Sequence, residues 1–115
     1  MSSLSISRLS ADVCAAPQLS PADMQAVAAA GFRSVINNRP DQEGGPQQPT
    51  SAAIEAEAKA HGLAYAYLPV SPAVQTPEEA EALATLLDSL PRPVLLFCRS
   101  GGRSARLFDV ARTLT

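Results

Sequence analysis

The 115-residue chain carries nine Lys and Arg against eleven Asp and Glu, a formal net charge of −2, which argues against a general nucleic-acid or anionic-membrane surface. Its length suits one domain (residues 1–115) with a single core, and no apolar run approaches the roughly 18 residues of a membrane span. Two cysteines in unlike contexts make no disulfide framework, and with one histidine, no signal leader and no metal-ligand spacing, the expectation is a cytoplasmic protein without metal or cofactor.

In chain order, residues 4–15 alternate apolar and small polar positions around Ser10-Ala11-Asp12 and read as two short strands, a hairpin at a sheet edge. Ser20-Pro21-Ala22-Asp23 is a helix start, with Met24, Val27 and Ala28 as its buried stripe and Gly31 as its stop. Residues 32–36 form a strand that opens into the turn-rich stretch 37–46. An alanine-rich helix covers 51–60 and ends at His61-Gly62, where the histidine suits a helix C-terminus. Residues 63–70 make the next strand. Thr76-Pro77-Glu78-Glu79 is a second capping box, opening a helix with Leu83, Leu86, Leu87 and Leu90 inward and Pro91 as its end.

Residues 93–97 are apolar throughout, as a central parallel strand covered on both faces should be. A last helix follows, with Leu107, Val110, Ala111 and Leu114 at apolar spacing. Strands alternating with helices predict a single small α/β domain with a mostly parallel sheet and helices on both faces. Ligands in such sheets bind beyond the carboxyl ends of the strands, where the loops starting at Asn37, Ser71 and Cys98 gather. The chain stops about one turn after Ala111, so a closing C-terminal element is expected to be missing.

The chemistry concentrates in Phe97-Cys98-Arg99-Ser100-Gly101-Gly102-Arg103-Ser104. A strand ending in a thiol, then a glycine loop, then a helix start surrounds that thiol with backbone N–H groups and the positive end of a helix. This field favours an anion, and a thiolate for the same reason. Gly101 and Gly102 can both take positive φ, turning successive N–H groups inward as an anion nest. Arg103 can reach back and hold two oxygens or a charged sulfur with its planar fork.

Plainer readings stand beside these. A cysteine ending a strand is often only a buried filler, and two glycines often only make a turn. Cys14 reads as a small apolar filler, with a second, resolving thiol as the rival idea. Arg39 with Asp41 and Glu43 is either a self-satisfied loop network or an anion-receiving arginine. Asp41 is a possible general acid, though nothing local equips it. Arg99 either points to solvent or recruits anionic donors. Ser104 either caps the helix or donates to the Cys98 sulfur, and these stay open. Ser100, Gly101, Gly102 and Ser104 complete the candidate anion-binding set around Cys98 and Arg103.

Three segments together carry a resemblance: Gly31-Phe32-Arg33-Ser34-Val35-Ile36-Asn37-Asn38-Arg39-Pro40-Asp41, then Leu63-Ala64-Tyr65-Ala66-Tyr67-Leu68-Pro69-Val70, then 93–104 ending Cys98-Arg99-Ser100-Gly101-Gly102-Arg103-Ser104. The chain resembles the bacterial DUF442 family, the phosphatase-like domain of beta-lactamase-hydrolase-like proteins, with members named sulfurtransferases. The resemblance implies a fold similar to dual-specificity phosphatases, with Cys98 as nucleophile and Arg103 as the anion-holding arginine. It also implies relatives that stand alone or are fused to persulfide-oxidising domains.

The chain departs from cysteine phosphatases in two respects. Four residues, Arg99 to Gly102, separate cysteine from arginine where phosphatases have five, so Ser104 stands at cysteine-plus-six. The loop 71–77 contains no carboxylate to protonate a leaving alcohol. The shorter spacing is similar to the rhodanese loop, which cradles a persulfide sulfur. The main expectation is therefore a rhodanese-like sulfurtransferase moving a sulfane sulfur, from thiosulfate or a small persulfide, through a Cys98 persulfide to a thiol acceptor. The alternatives are a cysteine-dependent phosphatase of aryl or protein phosphates, and a non-enzymatic anion-binding or redox-sensing module.

Overall fold

The computed structural model describes residues 4–114. Five strands form one sheet: β1 (Ser7–Ser10), β2 (Val13–Ala16), β3 (Ser34–Asn37), β4 (Ala64–Tyr67) and β5 (Val94–Phe97). Their spatial order is β1-β2-β5-β3-β4, antiparallel between β1 and β2 and parallel elsewhere. The expected edge hairpin and central last strand are both present. β5 pairs with β2 on one side (Val13 opposite Val94, Ala16 opposite Phe97) and with β3 on the other (Ser34 opposite Val94, Asn37 opposite Phe97).

Four helices cover the sheet: α1 (Met24–Ala29), α2 (Ser51–Ala60), α3 (Pro77–Ser89) and α4 (Gly102–Ala111). The two-residue period of the strands sorts the core into two layers. Leu95 and Phe97 of β5 and Val35 of β3 face Met24, Val27, Ile54 and Ala58 of α1 and α2. Val94, Leu96 and Ile36 face Ala80, Leu83, Leu87, Leu107, Phe108 and Ala111 of α3 and α4. Every residue of β5 is fully buried, so Leu96→Ala should cost about 2–5 kcal/mol of stability, measurable as a lowered urea midpoint. A loss below about 1 kcal/mol would mean that the layer collapses around the deletion.

The caps form as their sequences dictate. Thr76 accepts from the Glu79 N–H at 3.2 Å while Glu79 accepts from the Thr76 N–H at 2.8 Å. Asp23 accepts from the Ser20 N–H at 2.8 Å, but the turn it starts, Pro21–Asp23, is 3-10 rather than α. Strands 32–36 and 63–70 are shorter than read, at Ser34–Asn37 and Ala64–Tyr67. Beyond them the chain stays tied, Leu68 N–H to Asn37 O at 2.9 Å and Val70 N–H to Asn38 O at 3.0 Å, on either side of Pro69, which has no N–H to give.

One expectation needs correction, and one rival reading falls. In α4, Val110 and Leu114 are exposed, at 47% and 50%, and Phe108 takes the buried place beside Leu107 and Ala111. The inward stripe of α4 runs 103, 104, 107, 108, 111, and its first two positions are polar, which shifts the apparent phase. Cys14 lies opposite Leu95, three residues upstream of Cys98 in register. That is roughly 10 Å of strand, beyond the ~7 Å Cα separation a disulfide can span. Cys14 packs with the α1/α2 layer, as its reading as a small apolar filler has it. Among the described residues, no helix is long and apolar enough to cross a membrane.

Candidate active site

The parallel strands end on one edge of the sheet, and three loops converge there. Cys98 leaves β5 with its N–H on Ala16 O of β2 (3.4 Å), and Arg99 O accepts from the Gln18 N–H (3.2 Å). The loop then turns at Gly101, which has φ +94°. A Cβ there would meet the Ala16 carbonyl carbon at 3.4 Å, an ordinary contact, so it is the left-handed backbone that calls for glycine. Gly102 differs from expectation: it has ordinary φ and is the first residue of α4. One left-handed glycine, not two, shapes the loop.

The turn brings the Gly101 N–H to 3.0 Å from the Cys98 sulfur. Cys98 is 1% exposed. Burial pushes its thiol up. The Ser104 N–H and hydroxyl, with the N–H groups of Ser100 and Gly101, more than offset this, so the thiol ionises below its ordinary value. The Ser104 hydroxyl has one proton, and it is given to Asn38 Oδ1 at 2.8 Å. Ser104 is the third residue of α4, whose cap is Gly101, so it meets Asn38 and the thiol from within the helix rather than capping it. Alkylation of Cys98 by iodoacetamide in a Cys14→Ala variant should show a pH midpoint below the unperturbed ~8.5. A midpoint at or above that value would remove the cradle.

Arg103 enters from the first turn of α4, buried, with its guanidinium on Glu43. Nη1 donates to Glu43 Oε2 and Nη2 to Glu43 Oε1, both at 2.9 Å, and Nη1 also donates to Val70 O at 3.1 Å. The Nη1–Nη2 edge is therefore occupied. The Nε–Nη2 edge keeps donors to spare for an anion. Arg39 reaches the same carboxylate through Nε at 3.0 Å and Gln18 Oε1 through Nη1 at 3.0 Å. Arg103, first, and Arg39 hold the Glu43 carboxyl below its usual range despite some burial.

So the loop network around Arg39 exists, and it includes Arg103 as well. Asp41 is not in it: its Oδ1 accepts from the Ser51 N–H at 2.8 Å, at the start of α2. Arg99 and Ser100 are exposed. Arg99 lines a cleft of about 450 Å³ with Arg39, Glu43, Gly44, Pro72 and Arg103.

Sequence reading missed Glu43 as the partner of Arg103, because the two stand sixty residues apart. It also missed Asn38, fully buried, which donates to Leu68 O at 3.0 Å and accepts from Ser104. Gln75 of the 71–76 loop donates to Arg103 O at 2.8 Å. Two adjacent asparagines just past a parallel strand were the one local signal. No carboxylate in 71–76 faces the thiol, as the sequence required.

The sequence and the fold are similar to those of known proteins. A sequence profile described as "Beta-lactamase hydrolase-like protein, phosphatase-like domain" matches residues 5–115. A beta-lactamase hydrolase-like protein of Xylella fastidiosa is 36% identical over 84 residues, 73% of this chain and 19% of that protein. The chain thus spans about a fifth of such a relative's length. A candidate phosphatase of Neisseria meningitidis Z2491 superposes with a TM-score of 0.84 and 30% identity, over 91% of this chain and 74% of that one. A DUF442 candidate phosphatase of Shewanella putrefaciens CN-32 superposes at 0.80 and 18% identity, over 93% and 69%, a likeness of fold alone. These names fit the phosphatase alternative better than sulfur transfer, which they do not support. With the cysteine loop at the sheet edge, the helices on both faces and a profile match across nearly its whole length, the chain belongs to the phosphatase-like domain family of beta-lactamase hydrolase-like proteins.

Proposed function

We propose that this domain is a cysteine-dependent phosphatase acting on phosphate monoesters whose leaving groups depart without a proton. The carrying observation is the Cys98 sulfur at the end of β5, bonded by the Gly101 N–H at 3.0 Å beside a clamped Arg103. In this reading the Cys98 thiolate attacks phosphorus, an S–P bond forms, and the P–O bond to the leaving group breaks. Water then attacks phosphorus, the S–P bond breaks with its electrons returning to sulfur, and inorganic phosphate leaves. Loop N–H groups and the Nε–Nη2 edge of Arg103 hold the equatorial oxygens.

Leaving-group selectivity follows from the missing acid. Loop 71–76 has no carboxylate, Glu43 is held ionised by two arginines, and Asp41 is bound to the start of α2. Phenolates leave without help; alkoxides do not. Para-nitrophenyl phosphate should turn over, and simple alkyl phosphates should not.

One observation favours a second reading. Only four residues lie between Cys98 and Arg103, and α4 starts at Gly102, so the ring is one residue tighter than a phosphatase ring. A sulfane sulfur is smaller than a phosphoryl group, and a thiolate leaving group needs no acid. The experiment measures para-nitrophenol release beside thiocyanate formation from thiosulfate and cyanide, with Cys98→Ser as control. Cys98-dependent phenol release supports hydrolysis. Thiocyanate alone would overturn it in favour of sulfur transfer, and neither product would leave a binding or redox-sensing module.

A further inference from the structure

The chain is acidic overall, yet its cleft is not. Three arginines and one carboxylate line the space beside Cys98, and Arg106 lies just outside, its guanidinium within van der Waals reach of any side chain placed at Gly102. Four of the nine basic residues thus gather at one edge of a protein with net charge −2. Low-dielectric walls lined by one sign of charge focus a field on the space between them.

The three lining arginines differ in what they have left to give. Arg39 is committed to Glu43 and Gln18, and Arg103 shares Glu43 and Val70 O. Arg99 has no side-chain partner among the described residues. Its backbone is anchored, O to the Gln18 N–H at 3.2 Å, so the side chain starts from a fixed point next to Cys98. Among the described residues, the one carboxylate lining the cleft, Glu43, is already spent on the other two arginines. A volume of about 450 Å³ falls in the range that holds whole small molecules, far more than one tetrahedral anion fills.

We propose that Arg99 is a specificity-determining residue that binds a second phosphoryl group of the substrate, so that the preferred substrates are small diphosphates or aryl bisphosphates. One phosphoryl group sits at the Cys98 loop and the Nε–Nη2 edge of Arg103. The other is met by the Arg99 fork a few bonds away. This rests on the reading of the Cys98 loop as a phosphoryl site, and a substrate with a single phosphate leaves Arg99 without its partner.

The test reads binding rather than turnover. Protection of Cys98 from iodoacetamide is titrated with orthophosphate and with pyrophosphate at constant ionic strength, in the Cys14→Ala background. Pyrophosphate should half-protect at a concentration about tenfold or more below orthophosphate, as expected for one added charge-assisted contact. Arg99→Gln should bring the two concentrations to within about twofold, and Arg99→Glu should weaken pyrophosphate further. Arg8→Gln removes the same charge from the exposed edge strand β1 and should keep the ratio. Equal protection by both anions, or a ratio that survives Arg99→Gln, overturns the proposal. A ratio that needs Arg99 in a protein that hydrolyses no aryl phosphate would uphold the second subsite and refute hydrolysis alone. No protection by either anion would remove the phosphoryl site itself.

Discussion

Cys98→Ser should lower turnover of para-nitrophenyl phosphate by about three orders of magnitude or more while the fold survives, as removal of a catalytic nucleophile does. The loop that stabilises a thiolate cannot do the same for an alkoxide. Its donors are the Gly101, Ser100 and Ser104 N–H groups and one hydroxyl, enough to bring a thiol below its ordinary value against burial. A serine hydroxyl starts many units higher and has no base beside it: Glu43 is tied to Arg103 and Arg39, and the 71–76 loop has no titratable group. The thermal midpoint should stay near that of the parent, because the Gly101 N–H at 3.0 Å finds an oxygen acceptor in place of sulfur. A stable, folded Cys98→Ser protein that keeps a tenth of its activity would show that Cys98 binds but does not react.

What the sequence made legible is what depends on near neighbours. The Thr76–Glu79 box, the bounds Ser51–Ala60 and the all-apolar strand at Val94–Phe97 are each written within a few residues. The strand–glycine–helix order around Cys98 is equally local, and the structure places the Gly101 N–H on the sulfur as that order predicts. What stayed hidden is pairing across the fold. Glu43 and Arg103 come together only because β3 and β5 are adjacent and parallel, which sends both following loops to one edge. A loop glutamate four residues after an arginine reads as their pair, and nothing local says that it also serves a third residue. In α4 the buried positions of Arg103 and Ser104 broke the apolar pattern, because site residues there take places that packing would give to leucine. Gly102 differs for a related reason: two adjacent glycines look alike in sequence, and only the left-handed backbone of Gly101 separates the turn from the helix start.

Glu43→Gln should impair catalysis strongly although Glu43 touches no reacting atom. The carboxylate fixes the plane of Arg103 through two bonds of 2.9 Å, with Val70 O holding Nη1 from the side. A neutral amide offers one acceptor and turns a donor toward a guanidinium that has only donors. Arg103 would then swing, and a displacement of about 1 Å in a positioning group is worth about a hundredfold in rate. We expect kcat/KM for para-nitrophenyl phosphate to fall by about ten- to a hundredfold, with Arg103→Lys at least as damaging because a point charge cannot use both edges at once. A separate readout distinguishes the clamp from mere destabilisation. Arg103, most of all, lowers the pKa of Glu43 in the folded protein, so the pair's stabilisation is fully present above the unperturbed carboxylate value of ~4.3 and is lost as pH falls through the lower folded value. Urea midpoints of the parent should therefore decline on acidification through that window, and those of Glu43→Gln should decline less. If the two profiles ran parallel and kcat/KM were unchanged, Arg103 would be held by Val70 O and the packing of α4 alone, and Glu43 would be no more than a surface charge.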